Sequence, residues 1–257
     1  MASLDLLAGP VRALLEAHWD DERGSCVPNP TICPHLWLWD SCFHAIVWAH
    51  LGDARAVTEL EAVAGRLPGG LVPHMRHGAQ PPDTWLGPLE RTSSLRSPPM
   101  FGHAARVLAE RDLRPGDELL ARARRGWRRP VGADPAQRRC DGRTRHLRRR
   151  PAHAALDQLT DPDRFGSPAG PANVARSHPA YDPGAYWRGA AWPHLAYLLH
   201  LALLRWGRHD EATVLARRTR RTAQASRWAE CWNAETGEGL GAVPQSWTGL
   251  VLAMDRG

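Results

Sequence analysis

A chain of 257 residues with 43% hydrophobic and 23% charged content is globular in composition and long enough to bury a substantial core. No stretch approaches the roughly 20 apolar residues of a membrane span. The N-terminus, MASLDLLAGPVRALLEAHWDDE, has an early Asp and no basic run, so it does not read as a signal peptide and a cytoplasmic location is expected. The formal charge of +6 comes from one segment: residues 122–150 hold twelve arginines against Asp134 and Asp141, and the rest of the chain is net acidic.

All 33 basic residues are arginine, and this Ala/Arg/Gly/Pro-rich composition looks like GC-rich coding bias. Neither a nucleic-acid nor a membrane partner is expected. The five cysteines, Cys26, Cys33, Cys42, Cys140 and Cys231, are odd in number and lack CxxC spacing. That argues against a disulfide scaffold and a zinc site, and predicts reduced, mostly buried thiols. With no phosphate-cradling glycine loop or nucleotide fingerprint, no metal and no cofactor are expected.

Residues 10–22 place Val11, Leu14, Leu15 and His18 at helical spacing. After a Pro/Cys-rich loop, LWLWDSCFHAIVWAHLGD reads as an aromatic entry into an apolar helix stopped at Gly52. Asp53 then caps an amphipathic helix with Val57, Leu60, Val63 and Leu67 on one face. A turn-rich loop follows with His74, Met75 and Trp85, then a Pro-started helix over residues 98–112. From Asp112 to about Pro151 the apolar period fades. Helical character returns at AHAALDQL, and a long loop from Thr160 to Gly189 precedes the apolar helix AWPHLAYLLHLALLRWG and the Arg-rich DEATVLARRTRRTAQA. The last irregular stretch, WAECWNAETGEGLGAVPQSW, runs into an apolar, helix-like tail, SWTGLVLAM. No clear period-two strand appears, so the fold class is all-α.

A loop rich in Pro, Gly and aromatics leads repeatedly into an apolar helix, which an amphipathic one often follows. That alternation suits helix pairs with buried inner and polar outer members, their entering loops meeting on one face. The junctions carry Trp37 to Asp40, Pro73 to Met75, Tyr186 to Gly189 with Trp192, and Glu230 with Trp247. Indole faces beside carboxylates suit a carbohydrate cleft, where flat rings meet pyranose C–H bonds and acids move protons. For any single Trp, core packing is the better reading, and the case rests on the repeated pairing.

The blocks LWLWDSCFHAIVWAHLGD, GGLVPHM, the stretch from LTDPDRFG to WPHLAYLL, and WAECWNAETGEGLGAVPQSWTGLVL resemble glycoside hydrolase family 63. They are most similar to its bacterial mannosylglycerate and glucosylglycerate hydrolases. The resemblance implies a six-hairpin α/α toroid and inverting hydrolysis of an α-glycosidic bond in a small carbohydrate substrate by two carboxylic acids. Glu230 falls on the general base, Trp37, Trp39 and Asp40 on a sugar-binding WxWD block, and Tyr186, Trp187 and Arg188 on a cleft-lining YWRG block. His74 matches a loop histidine near the sugar, and Trp247 closes the Glu230 segment. Asp40 is read as a hydrogen-bond acceptor for sugar hydroxyls that doubles as a helix N-cap. Arg188 is read as lining the cleft or as a bridge to a buried carboxylate. Glu235 and Glu238 are read as turn-forming or solvated.

The family's mid-chain general-acid block, of the form ESGxDNSPxW, is absent from the sequence, and TSSLRSPPM has Ser97 where the family has glutamine. The toroid is therefore expected to be incomplete, in a single domain whose residues 112–151 are degenerate or disordered. Activity is expected to be weak or lost, which leaves a non-catalytic sugar-binding remnant, or a trehalase-type or glycogen-debranching-type glucosidase, as alternatives.

Overall fold

The computed structural model describes residues 4–64, 74–76, 100–114, 116–117, 121 and 149–254. Trp85, Ser97, Cys140 and most of the arginine-rich segment lie outside them. Seven α-helices are used below: α1 (Leu4–Glu16), α2 (Leu38–His50), α3 (Arg55–Ala64), α4 (Phe101–Ala109), α5 (Arg149–Thr160), α6 (Pro193–Arg205) and α7 (His209–Ala225). A 3-10 segment, Ser246–Ala253, ends the described chain.

The inner and outer helices differ as the sequence pattern requires. Asp40 to Ala49 of α2 is buried without interruption. Among its described side chains, helix α3 buries only Ala56, Glu59, Leu60 and Val63, spaced as one helical face. Val57, expected on that face, is only half-buried, and Leu67 lies outside the described residues. Helix α7 likewise buries Ala212, Leu215, Ala216, Thr219 and Ala223; Arg217 and Arg221 are exposed, while Arg218 and Arg220 donate to the carbonyls of Ser167 and Val251. Between α2 and α3, Gly52 adopts φ +66° and ends α2, and Asp53 Oδ1 accepts the Arg55 N–H at 3.0 Å as a cap.

Three expectations are corrected. Helix α1 begins at Leu4 rather than residue 10, because Leu7, Val11, Leu14 and Leu15 form one buried stripe that carries the helix past Pro10. Beyond Glu16 the chain leaves the helix for a ribbon instead of continuing to residue 22. The tail SWTGLVLAM is a 3-10 segment rather than an α-helix, every residue from Ser246 to Met254 being buried. The loops also hold four two-residue antiparallel ribbons that no alternating pattern announces: β1 (Trp19–Asp20) with β2 (Ser25–Cys26), β3 (Leu36–Trp37) with β4 (Met75–Arg76), β5 (Gly166–Ser167) with β6 (Gly170–Pro171), and β7 (Cys231–Trp232) with β8 (Gly239–Leu240). Two residues are too few to show a period.

The core gathers around the 3-10 segment, against which α1, α2, α6 and α7 all pack. A sealed polar chain fastens it there. Ser246 Oγ lies 2.7 Å from His44 Nε2, His44 Nδ1 lies 3.2 Å from Glu59 Oε1, and Glu59 Oε2 accepts the Cys26 N–H at 2.8 Å. Carboxylate, imidazole and hydroxyl stand in the order of a nucleophilic triad, but all three residues are 0% exposed, so the chain fastens rather than reacts. Removing its central member takes the partner from Glu59 Oε1 inside a sealed core, while Ser246 Oγ keeps the Val27 and Pro28 carbonyls at 3.1 and 3.3 Å. His44→Leu should therefore lower the unfolding free energy by about 3 kcal/mol in a urea titration.

Candidate carbohydrate site

Glu230 sits just before β7, where its N–H donates to the Ala242 carbonyl at 2.9 Å and extends the β7–β8 ribbon by one rung. Ala191 and Trp232 exchange N–H···O bonds of 2.9 Å in both directions, laying the loop from Tyr186 to Trp192 along the same strand. Tyr186 is thereby carried to Glu230, and its hydroxyl donates to Oε1. The Ala242 N–H donates to Oε2 at 2.9 Å. Both oxygens of a half-buried carboxylate are thus held, and the Trp247 indole N–H donates to the Glu230 carbonyl at 3.1 Å. Burial, followed by donation to Glu230, raises the Tyr186 hydroxyl above its ordinary value, so it stays a proton donor.

Gly241 makes this posture possible. Its φ is +72°, and a Cβ there would stand 3.0 Å from both Cβ and Cδ of Glu230.

Aromatic rings surround the carboxylate. Trp187 stacks on Trp192 at 4.1 Å and 9°, and Tyr186 meets Trp192 edge-on at 4.6 Å. Trp247 meets both Trp39 and Trp192 at 5.8 Å. Trp187 and Tyr186 remain 51% and 46% exposed, so the cluster has an open side. On another side Trp37 donates to Cys33 Sγ at 3.2 Å and meets His74 edge-on at 4.8 Å, as the β3–β4 pairing requires. Burial lowers the His74 pKa, favouring a neutral ring.

Asp40 is not the N-cap: Trp37 holds that place without a side-chain bond, and Asp40 lies within the first turn of α2. It is 3% exposed. Burial first, then the negative charges of Glu230 and Glu59, push its carboxyl well above the usual range. That shift favours the protonated form of Asp40, which can donate a hydrogen bond and not only accept one as the sequence suggested. Burial first, then the charges of Asp40 and Glu230, push the Cys33 thiol up to about 12.

Arg188 does not bridge a buried carboxylate. Its side chain is 67% exposed and lies 3.9 Å from the exposed Asp182. Glu235 is more than solvated: Arg176 grips it in a fork at 2.8 and 2.9 Å, and Tyr181 donates to it at 2.7 Å. Glu238 is exposed. Cys26, His44 and Glu59 place one potential metal-ligating atom each within 4.8 Å of one another. Glu59 accepts the Cys26 backbone N–H and lies against His44, and burial with the Glu59 charge pushes the Cys26 thiol up.

Sequence reasoning missed His194, which lies under the cluster, 4.8 Å from Trp39 and 4.7 Å from Trp247. Its only signal was adjacency to the WP pair. Burial drops its pKa from 6.5 to about 3. The unfolded chain takes up this proton near pH 6.5 and the folded chain does not, so the contribution to stability is full above that pH and falls on acidification toward 3. Compared with His194→Phe, the wild type should lose about 1.4 kcal/mol more per pH unit across this window in denaturant titrations. Gly241→Ala should cost about 1–2 kcal/mol of stability from backbone strain alone and displace the Glu230 carboxylate.

With this geometry in hand, the chain was compared with known proteins. The family model for the mannosylglycerate hydrolase MGH1-like glycoside hydrolase domain matches residues 33–128 and 144–248. The glucosylglycerate hydrolase of Mycolicibacterium hassiacum is 38% identical over 72 residues, 28% of this chain and 16% of that protein. The mannosylglycerate hydrolase of Thermus thermophilus is 33% identical over 104 residues, 36% of this chain and 25% of that protein. These stretches thus span a quarter or less of the curated relatives.

Among solved structures, a family 63 mannosylglycerate hydrolase of Thermus thermophilus in complex with glucose superposes with a TM-score of 0.67 at 16% identity, covering 96% of this chain and 99% of that one. The same enzyme with Tris and D-glycerate gives 0.70 at 15%, with the same coverage. The described helices accordingly have the helical glycosidase fold. The chain belongs to the mannosylglycerate hydrolase MGH1-like glycoside hydrolases.

Proposed function

We propose that this chain binds the glycosyl unit of a small α-glycoside, of the glucosylglycerate or mannosylglycerate kind, and hydrolyses it slowly with inversion, Glu230 acting as general base. The observation that carries this reading is the Glu230 carboxylate, fixed by Tyr186 and the Ala242 amide beside the open side of an aromatic cluster. In this role Glu230 takes a proton from water as that water attacks the anomeric carbon, and the C1–O bond breaks on the opposite face. Trp37, Trp39, Trp187 and Trp247 offer ring faces to the sugar, and Asp40, carrying its proton, donates to a hydroxyl. Exposed Arg188 is left to meet the aglycone end, and His74 backs Trp37. Helix pairs α2–α3 and α6–α7 are read as hairpins of an α/α toroid.

Slow turnover follows from the missing ESGxDNSPxW block. Without a general acid the leaving oxygen departs as an alkoxide, and general-acid help is worth about 10²–10⁴-fold. A non-catalytic sugar-binding remnant is the second reading, favoured by the same missing block. Calorimetry with glucosylglycerate, run beside an NMR assay of the released anomer, separates the two. Binding with hydrolysis about 10²–10⁴-fold below a complete relative, inverted product, and loss of the residual rate in Glu230→Gln are expected. Hydrolysis unaffected by Glu230→Gln would exclude Glu230 as the base, and heat without any product would leave the binding remnant.

A further inference from the structure

His194 is a buried titratable group that the hydrolytic chemistry does not use. It is 1% exposed, and neither ring nitrogen has a hydrogen-bond partner among the described residues. A buried polar atom left unpaired costs about 1–3 kcal/mol, and a phenylalanine would fill the same space without that cost. The position is central to the cluster. Besides Trp39 and Trp247, the ring meets Phe43 at 5.9 Å, Trp192 at 5.5 Å and Trp187 at 6.4 Å. Trp247 and, through Trp192, Tyr186 tie this cluster directly to Glu230. Of these neighbours Trp187 is the one that solvent reaches freely, at 51% exposure.

We propose that His194 is a specificity-determining contact of the cleft, its ring nitrogens pairing with a pyranose hydroxyl admitted when Trp187 swings off Trp192. A neutral imidazole has one donor and one acceptor, and a hydroxyl can both donate and accept, so one sugar hydroxyl satisfies either nitrogen. The aromatic walls suit the C–H faces of the same ring. Burial in an apolar box sharpens the selection, because a sugar lacking that hydroxyl leaves the imidazole unpaired. The inference rests on the reading of the cleft as a carbohydrate site.

The test uses the full chain, with D-glucose as the probe followed by tryptophan fluorescence and by NMR of ring-15N-labelled histidine. His194→Phe is expected to weaken glucose binding by at least about tenfold while leaving the urea midpoint at neutral pH equal or higher, and His194→Gln should recover part of the affinity. Saturating glucose should shift the His194 ring nitrogen resonances of the wild type. A purely structural histidine would not move affinity and stability in opposite directions. Unchanged affinity in His194→Phe, or wild-type binding with no 15N shift, would overturn the proposal while sparing the carbohydrate reading, the nitrogens then serving only a trapped water or facing ring electrons. Failure of the wild type to bind glucose at all would overturn both.

Discussion

Much of this molecule depends on the complete burial of Ser246–Ala253 between α1, α2, α6 and α7. A short 3-10 segment has weak backbone bonding of its own, so packing must hold it. The Ser246–His44–Glu59 chain supplies the direction that packing alone lacks, fixing which residue meets α2 and therefore the register of everything before it. Trp247, one position along, is then committed to the Glu230 carbonyl. Asp40 lies one turn before His44 on α2, so the same fastening helps to fix where Asp40 stands relative to Glu230.

The electrostatics of the cleft follow from that spacing. Two carboxyl groups that sense each other in a low-dielectric setting do not share a negative charge easily. Asp40, buried and without a cation among the influences on it, is pushed toward its protonated form. Glu230 has both carboxyl oxygens held by donors and an open side. The same functional group thus stands in two environments, one enclosed and one open.

The sequence made the helical architecture legible where apolar periods were long, as in α2, α6 and α7, and its blocks pointed to Glu230 and the tryptophans around it. Its failures have physical causes. Two-residue ribbons leave no periodic trace, although Ala191 with Trp232 and Trp37 with Met75 do much of the positioning. The proton on Asp40 depends on burial and neighbouring charge, which a motif does not encode. Arg188 was open to two readings, cleft lining or a bridge to a buried carboxylate, and the loop turns it toward solvent beside Asp182. His194 was passed over because unpaired nitrogens are visible only in three dimensions.

The grip of Arg176 and Tyr181 on Glu235 has a wider meaning. It ties the long loop to the tip of the β7–β8 ribbon, so the loop that carries Tyr186 and the strand that follows Glu230 are joined at two places. The family's acid block, absent from this sequence, belongs to the middle of the chain. The hydrogen bonds that hold Glu230 come from Tyr186, Ala242 and Trp247, all in the last third of the chain. In such an arrangement the carboxylate can keep its place whatever the middle of the chain contributes.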